Sequence, residues 1–105
     1  MQQSETEPGP ARIRIDKWLW HARFYKTRPL AQKAAEKGRI RLNGQRVTKS
    51  SAAVGPGDVL TVPRGREVLA VRVVACGVRR GPAPEAQALY ETLTETVLDR
   101  GASPP

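Results

Sequence analysis

The sequence predicts an α+β chain in which two short helices come first, short strands follow, and a helix closes the C-terminal side. Three observations carry this. Apolar residues recur at three- and four-residue steps as far as Gly38, and at two-residue steps from Arg39 onward. Asn43-Gly44 stands between two alternating runs, a strong hairpin signal. Charge divides the chain as well. Twelve of the eighteen Lys/Arg residues lie between Arg12 and Lys49, where only Asp16 and Glu36 oppose them. That stretch is near +10 in a chain of net charge +8. Cations this dense on a foldable segment point to a phosphate-bearing partner.

The elements follow in order. Ile15, Trp18, Leu19 and Ala22 mark one face of a helix from about Asp16 to Tyr25, and Asp16 is placed to cap its first turn. Thr27 is a second N-cap, and Pro29 fits the first turn because its missing N–H has no helical partner there. Leu30, Ala31, Ala34 and Ala35 form a narrow stripe that permits close packing, and Gly38 ends the helix. From Arg39, Ile40, Leu42 and Val47 point to one side while Arg39 and Arg41 point to the other. Lys49 to Gly57 reads as a loop. Val59 to Val62 is a short strand closed by Pro63, and Glu67 to Cys76 is a longer one. Arg79 to Pro84 is a basic, Pro-rich linker. Pro84 to Leu98 reads as an acidic helix, with Ala88, Leu89, Leu93, Val97 and Leu98 on a rough stripe.

A length of 105 residues makes one small domain. The ends, 1–11 and 100–105, are expected to be disordered tails, being polar and rich in Gly and Pro. Between them lie a domain over 12–76 and a basic linker with C-terminal helix over 77–99. A membrane role wants an apolar run of about 20 residues or a basic amphipathic helix, and Val68 to Val78 is short and interrupted by Arg72. The polar, acidic start carries no secretory pattern, and a lone Cys76 rules out an internal disulfide, so a cytoplasmic location is expected.

Candidate chemistry is sparse. His21 stands alone and far in sequence from Cys76, so no metal set is expected, and no cofactor. There is no Ser-His-Asp set and no phosphate-cradling glycine loop. Asp16 lacks the second titratable group a general base would need. Its expected tasks are capping, or orienting Arg14 or Arg28. Trp18 is expected in the core. Trp20 is expected to pack under the C-terminal helix, with base stacking as its alternative. Cys76 is expected to be buried.

Four ordered segments then carry a resemblance. They are Ile13-Arg14-Ile15-Asp16-Lys17-Trp18-Leu19, Lys26-Thr27-Arg28-Pro29-Leu30-Ala31, Gly38-Arg39-Ile40-Arg41-Leu42-Asn43-Gly44 and Val54-Gly55-Pro56-Gly57-Asp58. Together they resemble the S4-type RNA-binding domain. The runs Lys17-Trp18-Leu19-Trp20-His21-Ala22-Arg23, Arg79-Arg80-Gly81-Pro82-Ala83 and Ala86-Gln87-Ala88-Leu89-Tyr90 look like the heat shock protein 15 family of bacteria. The resemblance implies the small alpha-L fold, two helices and a hairpin on a mainly antiparallel sheet. It also implies a non-catalytic protein that binds ribosomal RNA on the large ribosomal subunit, in a stress response acting on subunits blocked by nascent-chain tRNA.

The residues expected to contact RNA are Arg14, Lys17, Arg23, Lys26, Thr27, Arg28, Gln32, Lys33, Lys37, Arg39, Arg41, Asn43 and Lys49. The helix N-terminus at Thr27 offers free N–H groups to a phosphate. Lys33 and Lys37 share a helix side, and Arg39 and Arg41 project from the first strand. Such contacts position a protein on RNA by shape, since the A-form major groove is too narrow for side chains. A monomer is expected, with weak non-specific DNA binding. Two alternatives stand beside this reading, an S4 module assisting an RNA-modifying enzyme in trans and a DNA-binding protein.

Overall fold

In the computed structural model, which describes residues 12–97, the chain begins with strand β1 (Ile13–Arg14) and turns directly into helix α1 (Ile15–His21). The first turn of a helix leaves backbone N–H groups without partners. Here the Ile15 and Asp16 amides donate to the carbonyls of Ala52 and Ser50, at 2.7 and 3.4 Å. Among the described residues no side chain caps this helix, and Asp16 lies inside its first turn, fully buried. The expected cap by Asp16 is therefore corrected.

Helix α1 also stops earlier than Tyr25. Arg23 takes a left-handed conformation, φ 66°. The Arg23 and Phe24 amides then bond back to Trp20 and Leu19, at 3.1 and 3.0 Å, a Schellman ending without its usual glycine. The Arg23 Nε donates to the Gly81 carbonyl at 2.6 Å. That long-range bond helps hold a conformation disfavoured for a residue with a Cβ.

Helix α2 (Arg28–Glu36) follows the sequence reading closely. Thr27 caps it, its Oγ1 accepting from the Leu30 amide at 3.3 Å. Gly38, at φ 74°, permits the same Schellman ending, with Arg39 N–H bonded to the Ala34 carbonyl at 3.0 Å. Buried Ala31, Ala34 and Ala35 bring α2 close to α1.

A five-stranded antiparallel sheet lies in the order β3-β2-β5-β6-β7. Its strands are β2 (Arg41–Leu42), β3 (Gln45–Arg46), β5 (Val59–Arg64), β6 (Glu67–Val73) and β7 (Tyr90–Val97). Asn43 and Gly44, at φ 52° and 87°, make the hairpin turn between β2 and β3. A separate two-stranded ladder pairs β1 with β4 (Ala53–Val54), inside the segment expected to be a loop. Strand β5 runs through Pro63, which is tolerated because β2 pairs only with Leu60 and Thr61 and leaves that end of β5 one-sided.

The helix expected over Pro84 to Leu98 is corrected. Only a short α3 (Ala83–Gln87) forms, and β7 then pairs along the whole length of β6, with a bulge between Ala70 and Val71. Thr92, Thr94 and Thr96 alternate with Glu91, Leu93 and Glu95, a β-branched, period-two pattern. The apolar spacing of this segment suits either period. The open edge of β6, whose N–H and C=O groups need partners, decides between them. The sheet thus reaches residue 97, past the expected boundary at 76. Leu98 and the expected tails, 1–11 and 100–105, lie outside the described residues.

The core joins both parts. Ile15, Trp18 and Leu19 of α1 are fully buried together with Ile40, Val54, Leu60 and Val71. Burying one such side chain stabilises by about 1.5–3 kcal/mol. The Trp18 indole N–H donates to the Ala75 carbonyl at 2.9 Å, tying α1 to the end of β6. Among the described residues no helix is long and apolar enough to cross a membrane.

Candidate nucleic-acid interface

Helix α2 and its C-cap position Arg28, Lys33 and Lys37. Successive residues on a helix turn by about 100°, so Lys33 and Lys37 form one stripe, beside the stripe of Arg28, Gln32 and Glu36. Lys33 and Lys37 are exposed, and they line a shallow groove of about 220 Å³ with Arg39, Tyr25, Leu30 and Pro63. Burial raises the pKa of the Tyr25 hydroxyl, and the nearby Arg39 charge opposes that rise. The groove therefore combines three cations with a protonated phenol.

The hairpin adds a second group. Its two-residue turn sets Arg41 directly opposite Arg46. Like charges facing each other across a ladder destabilise it. Neither guanidinium has an ion pair among the described residues, which suits a site where an anion supplies the missing charge. The Arg46 stem crosses the end of α2, since a Cβ on Gly38 would meet Arg46 Cδ at 2.8 Å. Arg46 and Lys49 line one further depression beyond β3. Arg46 was missing from the sequence reading. The signal was available, because a two-residue turn at Asn43-Gly44 dictates the pairing of residues 41 and 46.

A third group surrounds Asp16. Its carboxylate accepts from Arg14 Nε and Nη2, at 3.1 and 3.0 Å, and lies 3.6 Å from Arg28 Nη2. This bidentate bond holds the Arg14 pKa above its ordinary value, so the guanidinium stays charged. Arg14 Nη2 reaches the Ser50 hydroxyl at 3.5 Å, and that hydroxyl donates to Glu36 at 3.1 Å. Asp16 thus orients Arg14 and Arg28 from beneath. Both keep side chains more than a third exposed.

His21 lies 1% exposed, its Nδ1–H donating to the Cys76 carbonyl at 3.1 Å. Burial pushes its pKa down, the carbonyl opposes this, and the charges of Lys17 and Arg28 push it further down. It is a structural residue of the core, as is buried Cys76. Trp20 is half-buried, with its ring beside that of His21 at 5.7 Å between centroids.

Other expected contacts fall elsewhere. Asn43 donates through Nδ2 to Asp58 at 3.1 Å and accepts through Oδ1 from the Val59 amide at 2.9 Å, so its amide holds the hairpin to β5. The Thr27 hydroxyl is occupied in capping. Arg23 donates through Nε to the Gly81 carbonyl. Lys17 and Gln32 are half-buried, and Lys26 is exposed beside the α2 cap.

Residues 13–60 match the S4 domain family. The chain is 46% identical over 99 residues to the heat shock protein 15 homolog of Aeromonas salmonicida, covering 90% of this chain and 74% of that protein. It is 44% identical over 61 residues to the RQC P-site tRNA stabilizing factor of Bacillus subtilis, covering 58% of this chain and 70% of that protein. The solved heat shock protein 15 of Vibrio cholerae superposes with a TM-score of 0.74 at 43% identity, covering 78% of this chain and 82% of that one. The Vibrio protein was solved as a trimer, so the expected monomer finds no support there. The DNA-binding alternative finds none among these relatives.

Proposed function

This chain belongs to the heat shock protein 15 family of S4-domain proteins, and from that premise we propose that it is a non-catalytic RNA-binding protein of the large ribosomal subunit. It holds ribosomal RNA on subunits that still carry a nascent chain on tRNA, as part of a stress response in the cytoplasm. The single observation that carries the RNA reading is the run of cations, without an ion pair among the described residues, from the Lys33–Lys37–Arg39 groove across Gly38 to Arg46 and Arg41. The name of the Bacillus relative, a factor stabilising P-site tRNA, supports placing this chain near tRNA.

The mechanism is electrostatic positioning. A ribose-phosphate chain follows the α2 groove, and each neutralised phosphate releases condensed counterions. Arg14 and Arg28, aimed by Asp16, extend the contact beside the α2 N-terminus. The Arg41–Arg46 pair loses its mutual repulsion when a phosphate lies between the guanidiniums.

Binding to a structured fragment of ribosomal RNA should weaken with salt at a log–log slope of about −3 to −6, for ~4 to 7 phosphates. A slope near zero contradicts the mechanism. Sedimentation of a lysate should place the chain with free large subunits. Absence from every ribosomal fraction rejects the ribosomal assignment.

A further inference from the structure

A third depression, of about 390 Å³, opens between the end of α1, the β5–β6 turn and α3. It is within the ~300–1,000 Å³ range of small-molecule sites. Half-buried Phe24 and Tyr90 line it, their rings 4.9 Å apart and tilted by 44°. Fully buried Trp18 packs behind both, at 5.9 and 6.3 Å between centroids. The aromatic wall is therefore set on a rigid base. Arg23 and Arg64 stand at its edges, both exposed and without an ion pair among the described residues. The bond from Arg23 Nε to Gly81 steers that guanidinium, and its terminal nitrogens have no hydrogen bond among the described residues.

Aromatic faces, cations and the Gln87 amide in one recess match an unstacked nucleotide. A base stacks on the rings, the amide meets its edge, and the guanidiniums meet its phosphate. A purely apolar ligand would gain nothing from two cations. The recess also adjoins the α2 groove, because Pro63 lines both and Tyr25 of the groove follows Phe24 in the chain. A strand lying in the groove thus has a short path to it.

We propose that the Phe24–Tyr90 recess, flanked by Arg23 and Arg64, receives a single unpaired nucleotide of the bound RNA. The chain then has two contacts with its target, a phosphate groove along α2 and a base pocket beside it. The inference rests on the RNA-binding reading above and deepens it by specifying an unpaired nucleotide next to the phosphate track.

The test uses the full chain and two RNA hairpins with one common stem. One is blunt, and the other carries a short single-stranded extension containing 2-aminopurine. The extension should tighten binding roughly 5- to 100-fold through base stacking, with quenching of the 2-aminopurine fluorescence. Ala83→Trp, at an exposed position lining the recess, should fill it. It should remove both the quench and the advantage of the extended hairpin, with the blunt hairpin bound as before and the thermal midpoint unchanged. Arg64→Ala should reduce the advantage while leaving the rings in place. Equal affinity of the unaltered chain for both hairpins overturns the pocket proposal alone, as does an undiminished quench in Ala83→Trp. Failure to bind either hairpin at low salt overturns the RNA-binding reading on which it rests.

Discussion

The two halves of the molecule treat their charges differently. In the helical and hairpin half, Lys33, Lys37, Arg39, Arg41, Arg46 and Lys49 have no ion pair among the described residues. In the sheet half, Arg72 meets Glu91 at 2.8 Å across the β6–β7 ladder, and Arg79 holds Glu85 with two bonds at 3.0 and 2.6 Å. That second pairing lowers the Glu85 pKa and raises that of Arg79. Exposed pairs of this kind contribute little to stability. Their presence means that Arg72 and Arg79 are met within the sheet half, where Arg64 is an exception beside the recess, whereas the helical half, Arg14 and Arg28 apart, leaves its cations to an outside anion. Net charge alone hides this, since only the partners distinguish a solvated face from a binding one.

Four measurements break or sharpen that contrast. The largest effect tests whether the halves are one folding unit. Leu19→Ala should cost about 2–5 kcal/mol in chemical denaturation, with helix and sheet signals lost in one transition. Separate transitions would make the charge difference a difference between domains.

Asp16→Asn probes the exception in the basic half. The substitution removes the buried carboxylate charge and turns one acceptor oxygen into an N–H donor, which leaves Arg14 and Arg28 repelling each other. The expected loss is roughly 1–3 kcal/mol, less than for a fully buried pair because both arginines reach solvent. An unchanged melting midpoint would mean that Asp16 does not hold them.

The central contrast is read from salt slopes. Arg41→Ala and Arg46→Ala should each reduce the steepness of RNA binding against log salt by about 1, with the fold retained. Arg72→Ala and Arg79→Ala should leave the slope where it was. Equal effects from both pairs would erase the distinction between the halves.

The smallest effect concerns pH. His21 has a folded-state pKa below the ordinary ~6.5, so the unfolded chain binds a proton more readily. Stability contributed by neutral His21 is complete above pH ~6.5 and declines as pH falls below it, by at most about 1.4 kcal/mol per pH unit. His21→Gln should flatten that part of the stability profile. A profile rising toward acid pH would mean that the imidazole is charged in the fold.

Much of the helical half was legible beforehand. Thr27, Pro29 and Gly38 bound α2 through local backbone rules, and Asn43-Gly44 set both the hairpin and the pairing of its arginines. The sheet half was less legible. Residues 84–98 carry apolar spacing compatible with either period, and what selects the strand is β6, many residues earlier in the chain. The early stop of α1 was hidden too, because Arg23 fills a position normally held by glycine.

Alone, the sequence determined the separation of charge, the α2 caps, the Asn43-Gly44 turn and the family resemblance, all consequences of neighbours a few residues apart. Tertiary structure decided the strand at Tyr90–Val97, the seat of Asp16 beneath Arg14 and Arg28, and the meeting of Phe24 with Tyr90. Each of these needs groups distant in the chain to satisfy one another's hydrogen bonds, charge or apolar surface. Local pattern carries no record of which distant partner will arrive.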